Sequence, residues 1–162
     1  MREYGEQYEY RSLACKDKAL MQDFLMEWFQ MRKENLEWQE GEDMESLEAE
    51  TMGVIKILKD CDCYIFRAGG IFLDGKLEAF SIGSENLMED MAVISIEKAN
   101  PTIPGLYQVI NQQFLLHEFP DVKLVNREDD VGIPGLRMAK ESYHPISFAR
   151  KYYVKQLDFQ EG

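Results

Sequence analysis

The sequence predicts an α+β domain in which helices cover both faces of a central mixed sheet. Residues 71–82 are typical of a hairpin, because Asp74 and Gly75 suit the positive φ angles of a tight type I′ turn. Residues 91–96 form a continuous apolar run, which favours a central strand covered on both faces. Residues 122–145 pass from a short strand through a polar run into a helix. This order places polar side chains at the carboxyl end of a sheet.

The N-terminal part of the chain predicts an edge strand followed by two helices. Residues 4–13 alternate loosely enough for an edge strand, and Asp17 is placed to cap the first helix. Residues 30–41 are highly charged, so we expect that helix to give way to a loop there. A second helix is predicted to start near Asp43, where acidic residues suit the positive end of the helix dipole. Apolar residues recur at the 3–4 spacing of a buried helix face in both; they are Leu20, Met21, Phe24, Leu25, Trp28 and Met31, then Leu47, Thr51, Val54, Ile55 and Leu58.

The remaining elements alternate between strand and helix. A third helix is expected from about residue 103 to 119, capped by Asn100 or Thr102. A strand at 122–125, a fourth helix at 134–142 and a final strand within 148–157 follow. Without repeats or low-complexity segments, we interpret residues 1–162 as a single domain.

Composition excludes several classes of protein. The 162 residues carry 30 acidic and 18 basic side chains, a net charge of −12, which argues against binding DNA or another nucleic acid across the whole surface. No apolar run is long enough to span a membrane, and the N-terminus has no apolar segment typical of a signal peptide. We therefore expect a cytoplasmic protein. Residues 137–155 are locally basic, which fits either an ordinary solvated C-terminus or an anion-attracting patch.

The three cysteines, Cys15, Cys61 and Cys63, do not form a recognisable framework. Their number is odd, and two of them are separated by a single residue, so we predict free thiols. Cys61 and Cys63 would make half of a metal site, but no second pair of ligands follows. No metal site is predicted.

Three segments resemble a known bacterial family. They are ISIEKAN (94–100), GLYQVINQQF (105–114) and VNREDDVGIPGLRMAKESYHP (125–145). They resemble an uncharacterised family related to the C-terminal domain of phosphatidylglycerol lysyltransferase. The resemblance implies the acyl-CoA N-acyltransferase fold of the GCN5-related N-acetyltransferases. Members of the family typically carry two such units in tandem. This chain resembles the second of them, so we expect either a part of a longer protein that contains another such unit or a shortened relative of the family.

The resemblance implies an acyl or aminoacyl donor, either acyl-CoA or aminoacyl-tRNA, and an amine or hydroxyl acceptor. An acyl-CoA enzyme binds pyrophosphate through backbone N–H groups at the start of the third helix. Here that segment is Asn100-Pro-Thr-Ile-Pro-Gly105, in which two prolines remove N–H donors and no arginine is present. This departure counts against ordinary CoA binding.

Polar side chains at the ends of two neighbouring predicted strands are the candidate site. Glu97 or Glu128 would act as the base of an acyl transfer. The resemblance implies Tyr143 as the acid, because it lies near the position where acetyltransferase relatives place an acid tyrosine. Candidate substrate-binding residues are Lys98, Asn111, Asn126, Arg127, Asp129 and Arg137. A purely structural interpretation stays open for each of them, since residues 126–130 also suit a capped, solvent-exposed turn. The two functional hypotheses are an acyltransferase and a non-catalytic binding or interaction module that keeps the fold without donor binding.

Overall fold

The computed structural model describes residues 8–34, 43–150, 152, 154 and 155. Within these residues, strands and α-helices follow one another in the order β1-α1-α2-β2-β3-β4-α3-β5-α4. The strands are β1 (Tyr8–Leu13), β2 (Arg67–Leu73), β3 (Lys76–Asn86), β4 (Met91–Ala99) and β5 (Leu124–Asn126). The helices are α1 (Lys18–Glu34), α2 (Met44–Lys59), α3 (Leu106–Glu118) and α4 (Pro134–Glu141). Short 3-10 turns, Cys15–Asp17 and Cys61–Cys63, precede α1 and follow α2.

The strands of the described residues form one mixed sheet in sequence order, from β1 at one edge to β5 at the other. β1 to β4 are antiparallel, and β5 runs parallel to β4. The β2–β3 hairpin turns at Asp74 and Gly75, whose φ angles of 49° and 81° confirm the predicted tight turn. The predicted edge strand and hairpin are confirmed. β4, predicted to be central, is instead the fourth of the five strands, although it is covered on both faces as predicted.

Helices cover both faces of this sheet, as the sequence predicts. On one face α1 and α2 pack their apolar sides onto the strands around Phe80, which meets Phe24 edge to face. On the other face α3 packs through Leu106, Ile110 and Phe114, all of which are fully buried. The two clusters share no residue, so the sheet separates two independent apolar layers.

A β-bulge in β4 decides which of its side chains face which layer. Ile82 of β3 pairs with Ile96, but the next residue, Gly83, pairs with Ile94. Ser95 is therefore the extra residue, and the alternation of side chains shifts by one at that point. Ile94 packs in the α3 layer and Ile96 in the α1–α2 layer, although only one residue separates them. After the bulge, Glu97 consequently faces α3.

Several predicted element ends are wrong. Asp17 does not cap α1: its carboxylate accepts the backbone N–H of Ala14, within the 3-10 turn before the helix. α1 continues through the charged residues to Glu34 instead of fraying at residue 30, while residues 35–42 lie outside the described part. Gly105, with φ 77°, precedes α3 in place of a capping Asn100 or Thr102.

The predicted final strand is also not observed among the residues that the structure describes. Residues 148–150, 152, 154 and 155 have no regular structure, and the other positions up to 157 are outside the description. The described residues of this segment are all exposed, so they lack the burial that would stabilise a strand there. None of the described helices is long and apolar enough to cross a membrane.

The prediction of three free thiols is wrong, because Cys15 and Cys61 form a disulfide. They are 46 residues apart, with Cα atoms 5.7 Å from each other. α1 and α2 have nearly equal lengths, and their pairing brings the start of α1 beside the end of α2. Residue spacing alone could not show this proximity. Cys63 remains free and exposed.

Candidate active site

A gap opens beside β4 where β5 stops accompanying it. β5 pairs only with Met91–Val93, whereas β4 continues to Ala99. The chain after Asn126 then turns away through Glu128, which adopts a positive φ of 55°. Backbone groups on that side of β4 beyond Val93 therefore have no neighbouring strand among the described residues. Unpaired backbone at a strand edge can accept an extended ligand.

Glu97 lies at the centre of this gap. One of its carboxylate oxygens accepts a hydrogen bond from the side chain of Asn111 on α3 at 3.0 Å. The other accepts one from Arg127 Nη2 at 2.8 Å. The Glu97 side chain is 12% exposed and that of Arg127 is 20% exposed. Burial raises the pKa of Glu97, and the opposing charge of Arg127 and the hydrogen bond from Asn111 only partly offset this effect.

Arg127 has hydrogen-bonding capacity that the described residues do not use. Its Nε and Nη1 atoms are buried, and neither has a hydrogen-bond partner there. The guanidinium lies over the ring of Tyr143, 4.2 Å from its centroid. Buried polar atoms in native proteins almost always have partners, and each exception requires an explanation. A bound oxygen-rich ligand would supply one.

Lys140 of α4 holds the turn after β5 next to this site through hydrogen bonds. Its ammonium donates to the backbone carbonyl of Arg127 at 2.7 Å and to that of Asp129. Burial lowers the pKa of Lys140, and the nearby charge of Arg127 lowers it further. The two cations are thus held close together on one side of the Glu97 carboxylate.

The other residues of the turn mainly shape its backbone. The Asn126 side chain accepts the N–H of Glu128 at 2.8 Å, and the Asp129 side chain accepts that of Val131 at 3.2 Å. Glu128 accepts the hydroxyl of Ser95 at 3.2 Å, which places its carboxylate at the bulge of β4. The structure therefore brings Glu128 to the gap, whereas the side chains of Asn126 and Asp129 stabilise the backbone of the turn.

Two predicted binding residues lie elsewhere. Lys98 follows Glu97 on β4 and so faces the opposite layer, where its ammonium contacts Glu50 at 2.6 Å and the ring of Trp28. Burial lowers the pKa of Lys98, against the attraction of Glu50. Arg137 is exposed on α4 and pairs with Asp130 at 2.6 Å. Neither side chain is part of the cluster around Glu97.

Tyr107 is not among the site residues predicted from the sequence, although it lies on α3 beside the same gap. Tyr107 and Asn111 are four residues apart on α3 and therefore lie on one face of the helix. Because Asn111 is a predicted site residue, the four-residue spacing could have indicated Tyr107 as a second one. An open depression lined by residues 87–90, 123 and 124 lies at the other end of β4 and contains no predicted site residue.

A family model described as "Phosphatidylglycerol lysyltransferase, C-terminal" matches residues 2–155 of the chain. The chain belongs to this family. The match spans nearly the whole sequence and confirms the resemblance predicted from the three segments. Comparison with curated protein sequences gives no significant match.

Solved structures with the same architecture show that the chain has the GCN5-related N-acetyltransferase fold. A conserved protein of unknown function from Bacteroides thetaiotaomicron VPI-5482 aligns with a TM-score of 0.72 and 27% identity, over 86% of this chain and 45% of that one. The chain thus spans about half the length of that relative. A ribosomal-protein-alanine N-acetyltransferase from Brucella melitensis biovar Abortus 2308 aligns with a TM-score of 0.57 and 14% identity, over 92% of this chain and 99% of that one. The PaiA N-acetyltransferase from Thermoplasma acidophilum, in complex with coenzyme A, aligns with a TM-score of 0.50 and 11% identity, over 83% of this chain and 87% of that one.

Proposed function

We propose that the protein is an acyltransferase that takes an aminoacyl ester as donor and passes the acyl group to an amine or hydroxyl acceptor. The observation that carries the proposal is the half-buried Glu97–Arg127 pair in the gap beside β4, with two buried guanidinium nitrogens that have no partner among the described residues. Leaving a charged donor buried and unpaired is costly. A ligand with carbonyl, ester or phosphate oxygens would relieve that cost.

The same arrangement suits the chemistry of acyl transfer. An attacking amine must lose a proton, and burial raises the pKa of Glu97 above its ordinary value, which makes the carboxylate a better proton acceptor. Asn111 and Arg127 fix the orientation of the Glu97 carboxylate. Arg127 and Lys140 supply positive charge beside it, where a tetrahedral oxyanion would develop. Glu97 is accordingly the proposed base and Arg127 the proposed ligand-orienting residue.

The loop before α3 favours an aminoacyl ester over acyl-CoA. The Asn100 side chain accepts the N–H of Thr102 at 3.0 Å and donates to Glu78 at 2.8 Å. The N–H of Ile103 is bonded to the Asn100 carbonyl, and that of Leu106 to the carbonyl of Ile103. Residues 101 and 104 are prolines, which have no N–H. Few backbone donors are therefore left in this loop for a pyrophosphate.

The decisive experiment supplies lysyl-tRNA and acetyl-CoA separately, each radiolabelled in the acyl group. Phosphatidylglycerol vesicles and glycinamide serve as the hydroxyl and amine acceptors. We expect label to move from lysyl-tRNA and not from acetyl-CoA. Glu97→Gln should lower the rate about 10²–10⁴-fold, as expected for loss of a general base. Glu48→Gln, at an exposed position on α2, is the matched control and should leave the rate unchanged.

A non-catalytic binding module is the second candidate function. Both carboxylate oxygens of Glu97 are already engaged, one by Arg127 and one by Asn111, which favours a stable structural pair over a reactive base. Lysinamide tests this alternative, because it carries the aminoacyl group without a leaving ester. Thermal stabilisation by lysinamide without transfer from either labelled donor would support the module. Absence of both transfer and stabilisation would contradict both functions.

A further inference from the structure

Tyr107, on the first turn of α3, has a hydroxyl group whose hydrogen is not used. Its oxygen accepts the indole N–H of Trp28 at 3.1 Å. An indole N–H can only donate, so the phenol oxygen is the acceptor in this contact. The single O–H of Tyr107 remains available, and none of the described residues accepts it in the structure.

This hydroxyl lies beside the proposed base. Asn111, one helical turn after Tyr107, contacts the Glu97 carboxylate at 3.0 Å, and one turn advances a helix by about 5.4 Å. Glu97 and Ala99 lie on the same face of β4, two residues and roughly 6–7 Å apart. The step from Asn111 back to Tyr107 on α3 therefore roughly matches the step from Glu97 to Ala99 on β4, and both Ala99 and Glu97 lie near enough to Tyr107 to act on its pKa. The carboxylate and the phenol flank one stretch of the gap.

We propose that Tyr107 is the acid that protonates the leaving group of the acyl transfer, opposite Glu97 as the base; this inference rests on the function proposed above. The amine nitrogen of the acceptor attacks the ester carbonyl carbon and gives its proton to the Glu97 carboxylate. The C–N bond forms, the C–O bond of the ester breaks, and the departing oxygen takes the hydrogen of Tyr107. Return of the proton from Glu97 to the phenolate, directly or through a water, restores both groups.

The environments of the two groups suit these roles. Burial raises the pKa of Tyr107, so the phenol stays protonated at neutral pH and can donate. The indole N–H of Trp28 that donates to its oxygen stabilises the phenolate formed when the proton leaves. Tyr143, predicted from the sequence as the acid, is 42% exposed, and its ring lies against Arg127. Tyr107 is the better-placed donor in this structure.

A pair of lysine esters tests the assignment. The p-nitrophenyl ester has a leaving group that departs as a stable anion, whereas the ethyl ester requires a proton for departure. Transfer of the lysyl group to glycinamide is followed for both. In Tyr107→Phe we expect transfer from the ethyl ester to fall on the order of 10²-fold and transfer from the p-nitrophenyl ester to change less than about threefold. An equal loss on both esters, or no loss on either, would overturn the proposal.

Trp28→Phe separates catalysis from the structural link between α1 and α3. It removes the N–H that holds the Tyr107 oxygen and keeps the O–H itself. We expect a loss of transfer from the ethyl ester that is smaller than in Tyr107→Phe, with little loss from the p-nitrophenyl ester. If Trp28→Phe affects both esters equally, the proposal is contradicted, even where Tyr107→Phe does not fold. Tyr64→Phe, at an exposed position, is the control and should match the wild type on both esters. If the wild-type protein transfers from neither ester nor from lysyl-tRNA, the proposed function fails, and the assignment of Tyr107 fails with it.

Discussion

The chain up to Phe119 and the chain after it are held together by different forces. The first region contains every buried residue among those described, in two apolar layers on either side of the sheet. The second region has no buried residue within the described part, and α4 buries none of its side chains. It is fastened by charge and hydrogen bonds, chiefly those of Arg127, Arg137 and Lys140.

The candidate site lies on the boundary between these regions. Glu97, Asn111 and Tyr107 come from the packed region, where apolar contacts fix the backbone. Arg127 and Lys140 come from the polar region. One half of the site is therefore pre-organised by packing, and the other half depends on the contacts of a few charged groups. A ligand that competes for those charges can bind without disturbing the apolar core.

The same substitution in the two regions should have very different costs. Met21 is fully buried on α1, and Met138 is 69% exposed on α4. We expect Met21→Ala to lower the free energy of unfolding by about 2–5 kcal/mol, through lost burial and a residual cavity. Met138→Ala should change it by less than about 0.5 kcal/mol. Urea unfolding at equilibrium measures both, and similar values for the two variants would contradict the division.

The disulfide adds covalent stabilisation to the packed region only. It closes a loop that contains all of α1 and α2. Replacing Cys15 and Cys61 together by serine should lower the free energy of unfolding by roughly 2–4 kcal/mol. Cys63→Ser is the control and should have little effect, since Cys63 is free and exposed. A thiol assay should find one reactive thiol per chain before reduction and three after it; three before reduction would disprove the bond.

The pH dependence of stability should report the burial of Glu97. Its pKa in the folded protein is raised above 4.5, so the folded state holds the proton more tightly than the unfolded state does. The free energy of unfolding should therefore fall as the pH rises from about 4.5 through the raised pKa. Glu97→Gln cannot ionise and should remove this part of the dependence. An unchanged pH profile in that variant would show that Glu97 does not have a raised pKa.

The smallest effect is expected at the exposed pair of the polar region. The Arg137 guanidinium lowers the pKa of Asp130 to about 2, with help from the N–H of Gly132. Its stabilising effect is present above the usual carboxyl pKa and is lost as the pH falls through about 2. Arg137→Ala should shift the Asp130 pKa up toward 3.8 in a carboxyl NMR titration. Melting temperature at neutral pH should hardly change, because exposed ion pairs contribute little.

Local patterns were sufficient to predict most of the fold. The Asp74-Gly75 turn, the apolar run in β4 and the 3–4 spacing in α1 each specify an element without knowledge of its neighbours. Helix ends were predicted less well, because they depend on competing local contacts. The Asp17 carboxylate caps the turn before α1, and Asn100 bonds within the loop instead of at α3.

The candidate site was predictable only in part, for a related reason. Glu97 lies near the end of β4 and Glu128 follows the neighbouring β5, so sheet geometry was enough to bring them to one gap. The opposite orientation of Lys98 depends on strand alternation after a bulge whose position no local pattern marks. The Cys15–Cys61 bond and the Trp28–Tyr107 contact both depend on how separate helices pack. Their formation is a property of the tertiary structure.

The extra residue at Ser95 also bears on how such a site can change. Glu97 and Lys98 are adjacent, carry opposite charges and face opposite sides of the sheet. Loss of the extra residue would leave Ile94 and Ile96 as neighbours on opposite faces, as regular alternation requires, so Glu97 and Lys98 would keep their sides. The positions of the two charges are thus set by the pairing of β4 with β3 after the bulge. A deletion at the bulge should preserve the polarity of the cleft, and no single substitution would move both charges.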